Sequence, residues 1–333
     1  MQLSALGEFG FIDRLACGVR MAPGVRLGIG DDCAVTDAPA TGSTLTTTDL
    51  LVEGVHFDLR YTDPASLGYK SLAVNLSDIA AMGGIPRHVL LGLAVPAATP
   101  VEFLDAFVAA FLDLANQHHV VLIGGDTCAS RSGLLVSVTA IGEQEPARIL
   151  TRGGARPGDL VVVSGTIGDS AMGLQLLQAG NSGSADDDSR HCIERHLRPT
   201  PRLALGQLLA NRGLARAMID VSDGLQADLG HILHASSVGA SLDLARIPLS
   251  PSFRKLAGTI GDSFWELAIA GGEDYELLFT VPADREADLQ SLQTESGIPL
   301  TVIGTITAEP GLQLRAPDGT SQQPGRGGYN HFA

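Results

Sequence analysis

Five short stretches of this chain set aspartate beside glycine, serine or threonine where an apolar run gives out. They are Gly28-Ile29-Gly30-Asp31-Asp32, Thr47-Thr48-Asp49, Asn75-Leu76-Ser77-Asp78, Gly124-Gly125-Asp126 and Asp220-Val221-Ser222-Asp223-Gly224. Adjacent carboxylates repel, and burying an ionised one is costly unless a cation or hydrogen bonds compensate. Taken singly, each aspartate reads as a turn residue or a helix cap. Taken together, the five read as one acidic site assembled from distant parts of the chain. Clustered carboxylates with hydroxyl neighbours supply hard oxygen ligands, which suit Mg²⁺ or Ca²⁺ rather than zinc. The spaced ligands of an EF-hand loop are missing. Mg²⁺ commonly shares its shell with phosphates, so the site reads as a Mg–nucleotide site.

The familiar nucleotide machinery is missing too. There is no Gly-x-x-x-x-Gly-Lys-Ser/Thr, and neither of the two lysines, Lys70 and Lys255, follows a glycine-rich loop. That excludes a P-loop enzyme, and the absence of Asp-Phe-Gly removes the protein-kinase pattern. Phosphate charge must then be met by metal, backbone N–H groups and arginine. Arg152, set among glycines in Arg152-Gly153-Gly154, is a phosphate clamp or a surface turn residue. His56, in Val52-Glu53-Gly54-Val55-His56-Phe57, is a ligand contact or a structural hydrogen-bonding group. No His-Glu-x-x-His or Gly-x-Ser-x-Gly occurs, so zinc peptidase and serine hydrolase chemistry have no residues to rest on.

These residues need elements to carry them. The threonine-rich run from Gly42 to Leu51 predicts a strand ending near Asp49. Asp63-Pro64 opens a helix with Leu67, Leu72, Leu76 and Ile79 along one stripe, ending at Gly83-Gly84 with Asp78 near its C-terminus. There the helix dipole disfavours a carboxylate, which marks Asp78 as functional. Val89 to Val95 is a strand. Thr99-Pro100-Val101-Glu102 predicts a capping box with Pro at the first helical position. That helix fades at Gln117, and Val120 to Ile123 is a strand delivering Gly124-Gly125-Asp126. Leu134 to Ile141 is a further strand. A turn-rich seam follows between Gln144 and Asp159. In the second half, strands are expected at Leu160 to Val163, before Asp220, at Ala240 to Leu244, Leu277 to Val281 and Leu300 to Ile306. Helices are expected at Gly168 to Ala179, Pro201 to Arg212, Leu225 to Ser236 and Asp284 to Ser296. Gly180 to Arg190 reads as a solvated acidic loop, and residues 1–26 as a helical lead-in with Phe9, Ile12, Leu15 and Ala16 on one face. The mixture of hairpin and crossover spacings points to α+β layers rather than a doubly wound fold.

With 333 residues, 44% of them hydrophobic, the chain has room for two domains. Its net charge of −15 argues against nucleic acid and anionic membrane surfaces as partners. The first residues lack a signal-peptide pattern and no apolar run reaches membrane-spanning length. Cys17, Cys33, Cys128 and Cys192 are scattered, without a disulfide or zinc pattern. A cytoplasmic protein is expected.

The motifs in order resemble those of thiamine-monophosphate kinase, a family of the aminoimidazole ribonucleotide synthetase and selenophosphate synthetase superfamily. The resemblance rests on Gly30-Asp31-Asp32, Thr47-Thr48-Asp49 with Val52-Glu53-Gly54-Val55-His56-Phe57, and Asn75-Leu76-Ser77-Asp78-Ile79-Ala80-Ala81-Met82-Gly83. It continues through Gly124-Gly125-Asp126-Thr127, Asp220-Val221-Ser222-Asp223-Gly224-Leu225, Gly271-Gly272-Glu273-Asp274-Tyr275-Glu276-Leu277 and Gly328-Tyr329-Asn330-His331-Phe332.

It implies an α+β subunit with the two-domain aminoimidazole ribonucleotide synthetase-like fold. Domain 1–145 would carry Mg/ATP-binding aspartates and pair into a homodimer, and domain 146–333 would complete the nucleotide and substrate sites. It also implies ATP-dependent phosphorylation of thiamine monophosphate, with several Mg²⁺ ions. Carried over by position, Asp31, Thr47, Thr48, Asp49, Asp78, Asp126, Asp220 and Asp223 would hold metal. Gly125, Arg152 and Ser222 would contact ATP, and His56, Glu273 and Tyr329 the thiamine phosphate. Where the resemblance leads one to look for a tyrosine near the nucleotide, the chain has Val108 between Phe107 and Phe111. From a different class, a Mg–nucleotide sensor without turnover would need the same aspartates.

Overall fold

The structure, a computed structural model, describes residues 14, 15, 17–19, 24–27, 35–37, 42–180, 186–258 and 264–322. Asp31, the Gly28–Asp32 motif, Tyr329 and most of the 1–26 lead-in, with Phe9, Ile12 and Ala16, lie outside them. The chain forms two compact units, Met1–Ile79 with Gly84–Pro146, and Ala80–Gly83 with Ala147–Ala333.

In the first unit a short antiparallel pair, β1 (Val25–Leu27) and β2 (Val35–Thr36), precedes a four-stranded sheet. The sheet holds β3 (Ser43–Val52), β4 (Ile85–Pro96), β5 (Val121–Ser130) and β6 (Leu135–Gln144) in the order β3-β6-β4-β5. Only β4 and β5 run parallel, joined through α2 (Val101–Gln117) as a parallel pair requires a crossover. Helix α1 (Pro64–Ala81) connects β3 to β4. Its start is encoded locally: Asp63 accepts N–H groups of Ala65 and Ser66, both at 3.0 Å, with Pro64 at the first helical position. Its end is set by Gly83 at φ +69°.

Three expectations are corrected here. Pro100 is itself the N-cap of α2, and no side chain caps the helix. Proline in extended backbone takes that position, which leaves Thr99 one residue too early. Strands β3 and β5 also run on through Asp49 and Asp126 instead of ending there, because the ladders to β6 and β4 continue past them. Phe107, Val108 and Phe111 are all buried on α2 and serve as core.

The second unit is a seven-stranded sheet in the order β13-β12-β9-β11-β7-β10-β8. Its strands are β7 (Leu160–Ser164), β8 (Ala217–Asp220), β9 (Gly239–Asp243), β10 (Leu277–Val281), β11 (Leu300–Thr307), β12 (Gly311–Arg315) and β13 (Ser321–Gln322). Its helices are α3 (Asp169–Gln178), α4 (Asp187–Leu197), α5 (Leu203–Arg212), α6 (Leu225–Ser236), α7 (Pro251–Ala257), α8 (Phe264–Ala270) and α9 (Glu286–Ser296). Val161, Val163, Ile219 and Leu278 from the sheet share a core with Leu225, Leu229, Ile232 and Leu233 of α6. Each such side chain contributes about 1.5–3 kcal/mol by leaving water.

Helix α4 overturns the acidic-loop reading from residue 186 onward. Asp186 caps it, accepting from Ser189 N at 2.9 Å, and Asp187 and Asp188 sit in its first turn. Acidic residues belong at that end of a helix, so a charge run that resembled a solvated loop is a helix start. Helices α7 and α8 were not anticipated. No described helix is long and apolar enough to cross a membrane.

Candidate functional site

In the first unit the alternation of β3 separates neighbouring residues. Thr47, Asp49 and Leu51 share one face and Thr48 and Leu50 the other, with Leu51 buried and Leu50 exposed. Thr47 donates its hydroxyl to Asp78 Oδ2 at 2.5 Å. Burial first, and the Asp78 charge second, push the Asp49 carboxyl up to about 7. Thr47, Asp49 and Asp78 therefore form one cluster. Thr48 faces away, donating to the Val138 carbonyl at 3.1 Å and accepting from Thr139 at 3.1 Å.

The ladder extends the same parity across the sheet. Asp49, Val138, Leu91 and Gly125 form one cross-strand row, and Leu50, Ser137, Gly92 and Asp126 the next. Adjacent rows face opposite sides, so the exposed Asp126 projects away from Asp49. Gly125 has a packing reason to be glycine, since a Cβ there would lie 1.9 Å from the Leu91 carbonyl oxygen. His56 has a structural role as well: its Nδ1 accepts the Val52 N–H at 3.0 Å, which places the ring proton on Nε2.

In the second unit two distant motifs are zipped together through their backbones. Val221 N donates to Glu276 O at 2.8 Å, Tyr275 N to Val221 O at 2.8 Å and Glu273 N to Ser222 O at 2.7 Å. Gly272 makes the approach possible, because a Cβ there would meet the Ser222 carbonyl oxygen at 2.3 Å. Ser222, Asp223 and Glu273 are thus brought side by side, just beyond Asp220 at the buried end of β8. Arg152 is not among them. Its segment is tied to Ser236 at the C-terminal end of α6, where Ser236 Oγ accepts Gly154 N and Ala155 N. The residue before Arg152, Thr151, accepts Met218 N of β8 at 2.9 Å, two positions before Asp220.

Sequence reading missed the residue that shapes the Ser222 loop. Asp228 Oδ2 accepts the N–H groups of Ser222, Asp223 and Gly224 at 3.0, 3.1 and 3.1 Å. Burial, then the Asp223 charge, push its carboxyl up to about 7. Asp223, Asp228 and His231 are also the group of metal-capable side chains found close together among the described residues. The spacing of Asp228 and His231, three apart on a helix, was the available signal.

The donor chemistry fits a hard cation in the first unit. Asp49 and Asp78 repel one another, and one turn before Asp78 the buried Asn75 Oδ1 has no hydrogen-bond partner among the described residues. A divalent ion would relieve that repulsion, and the unpartnered Asn75 oxygen is a further hard donor on the same helix.

Behind Glu273 lies Asp274, fully buried, whose carboxylate accepts Gly168 N at 2.7 Å and Ser170 N at 3.2 Å. Burial pushes it up to about 7. Its folded pKa exceeds the usual unfolded value, so its contribution to stability is fully present below about pH 4 and is lost as pH rises through about 7. Removing the charge should therefore flatten the pH dependence. The stability difference between wild type and Asp274→Asn is expected to shift against wild type from pH 4 to pH 8 in urea titrations. A constant difference would refute this.

Comparison with known proteins agrees with this two-unit arrangement. The model for AIR synthase related proteins matches the chain twice, its N-terminal domain over residues 30–144 and its C-terminal domain over residues 156–316. The chain is an AIR synthase related protein. Within that class, thiamine-monophosphate kinase of Escherichia coli (strain K12) is 44% identical over 330 residues, 99% of each chain. The crystal structure of thiamine-monophosphate kinase from Stenotrophomonas maltophilia K279a matches with a TM-score of 0.85 at 41% identity, covering 95% of this chain and 98% of that one. A structure described as AaThiL complexed with AMPPCP and TMP matches with a TM-score of 0.79 at 33% identity, covering 100% and 99%. The chain belongs to the thiamine-monophosphate kinase family.

Proposed function

We propose that this protein is a thiamine-phosphate kinase, which transfers the γ-phosphoryl group of ATP to thiamine monophosphate and forms thiamine diphosphate. The observation that carries the reading is whole-length similarity to thiamine-monophosphate kinases, 44% identical over 99% of the chain. The acidic cluster of Thr47, Asp49 and Asp78 adds a physical reason for it.

The acceptor is a phosphate monoester, mostly dianionic at neutral pH because its second pKa is ≈ 6. Its oxygen needs no general base. What opposes reaction is repulsion between two polyanions, so the protein's task is in-line positioning and charge compensation, without a covalent enzyme intermediate. Several Mg²⁺ ions, when bound, would supply that charge compensation: Thr47, Asp49 and Asp78 would hold metal on one face of the first unit's sheet and Thr48 and Asp126 on the other, and Asp31, Asp220 and Asp223 would hold metal too. Gly125, Arg152 and Ser222 bind ATP, while His56, Glu273 and Tyr329 bind thiamine monophosphate. For His56, the Nε2 proton set by the Val52 bond makes it a hydrogen-bond donor. For Glu273, backbone pairing with Ser222 supports the reading of substrate and nucleotide contacts as neighbours.

The protein acts as a homodimer in the cytoplasm. Support for pairing comes from β3, an edge strand that exposes Leu50.

The test is thiamine diphosphate formation from Mg-ATP and thiamine monophosphate, followed by chromatography with and without EDTA. Product that disappears with EDTA is expected. ATP consumption only with a different acceptor would discard the substrate, and tight Mg-ATP binding without turnover would make the protein a sensor.

A further inference from the structure

The segment Glu273-Asp274-Tyr275-Glu276 is held in a conformation that side-chain residues rarely adopt: Glu273 has φ +67° and Tyr275 φ +51°. Each costs of order 1–3 kcal/mol and persists only where the surroundings over-determine it. Here they do. The Asp274 carboxylate is taken by two N–H groups at the start of α3, and its carbonyl accepts from Arg195 at 3.2 Å. Glu276 is taken by Arg195, Arg202 and Ser164. Both acids are sealed from solvent. Glu273 differs, because its side chain keeps 27% of its exposure while Oε2 lies 3.3 Å from Nδ1 of the buried His196 on α4.

That imidazole is itself fixed. Ser170 Oγ lies 3.1 Å from the same nitrogen, and Ser170 is anchored through its own N–H to Asp274. Beside a carboxylate the tautomer with the proton on Nδ1 is favoured, so His196 donates toward Glu273 Oε2. A strained backbone, a buried donor and a partly exposed acceptor together make a carboxylate aimed before ligand arrives. Aiming it in advance removes the ordering cost from the binding step.

We infer that His196 is a positioning residue for the acceptor substrate, holding the Glu273 carboxylate where it meets an amino or cationic group of thiamine monophosphate. The inference rests on the reading of Glu273 as a substrate contact given above.

Steady-state kinetics on five variants, four single and one double, test it. His196→Ala is expected to raise KM for thiamine monophosphate about tenfold, the scale of one charge-assisted hydrogen bond, and to leave KM for Mg-ATP within twofold. His196→Asn keeps an amide nitrogen near the Nδ1 position and should recover most of that loss, whereas His196→Gln, whose amide reaches the Nε2 position, should not. Glu273→Gln should raise the same KM, and His196→Ala on that background should add little. A purely structural histidine would lower the melting temperature and leave Asn and Gln alike. Equal KM in the Asn and Gln variants, or an unchanged KM in His196→Ala while Glu273→Gln raises it, overturns the role of His196. An unchanged KM in Glu273→Gln overturns the assignment of Glu273 itself.

Discussion

Asp49→Asn is expected to lower turnover at least tenfold and yet to raise the unfolding midpoint of the metal-free protein at pH 8. The two effects share one cause. In wild type, burial and the neighbouring Asp78 charge push the Asp49 carboxyl up to about 7, well above its ordinary value. The native state therefore holds the proton more tightly than the unfolded chain. The corresponding stability is fully present below about pH 4 and is lost as pH rises through about 7. Asparagine never ionises, so the variant keeps at pH 8 what wild type has lost. Allowing for partial solvent access, the gain is about 1–2 kcal/mol.

Chemical unfolding in EDTA at pH 4.5 and at pH 8 measures it: the gain belongs at pH 8 and should vanish in acid. Mg²⁺ should then stabilise wild type more than the variant, because a ligand that binds only the native state adds stability by mass action. A variant that turns over like wild type would remove Asp49 from the metal site. One that melts below wild type at pH 8 in EDTA would refute the repulsion. Asp126→Asn, at an exposed position in the next row of the sheet, should slow turnover without any such gain.

Glu276→Gln is expected to cost the second unit about 3–5 kcal/mol, the usual penalty for removing one partner of a buried ion pair. Glu276 is fully buried. Its Oε2 accepts Ser164 Oγ at 2.6 Å and Arg202 Nε at 2.7 Å, and its Oε1 accepts Arg195 at 2.9 Å and a second Arg202 nitrogen. An amide replaces one acceptor by an NH₂ group that faces guanidinium donors, and two cations lose the charge that justified their burial. The site has no slack for rearrangement, since even a Cβ at Gly165 would lie 2.2 Å from Glu276 Oε1. Urea unfolding gives the magnitude. A loss under 1 kcal/mol would mean that water reaches the arginines and that the cluster is not the anchor of the 273–276 segment. Activity should fall as well, because Val221 N bonds the Glu276 carbonyl and the Ser222 loop follows directly.

Much of the architecture is legible in the chain itself, for local reasons. Helix α6 begins and ends where its apolar spacing and flanking residues say, at Leu225 and Ser236, and β10 spans the predicted Leu277–Val281. Misreadings arose where a local signal had two meanings. Aspartates at 186–188 mark a solvated loop or the electropositive start of a helix, and only the burial of Cys192, Ile193 and Leu197 one to three turns later decides for the helix. Gly124-Gly125 resembles the end of a strand, yet β5 continues, because glycine at 125 is what the approach of Leu91 requires.

By itself the sequence determined the family, the list of acidic motifs and the type of most elements, since these depend on residue identity and on neighbours within a few positions. It could not say which members of the list meet. Thr47 joins Asp78 and Thr48 does not because side chains alternate along β3. Asp126 is turned from Asp49 by a register shared over four strands. Asp228 closes the Ser222 loop, and His196 reaches Glu273 across 77 positions of sequence. Such pairings come from packing between elements far apart in the chain, and no local pattern of residues carries that information.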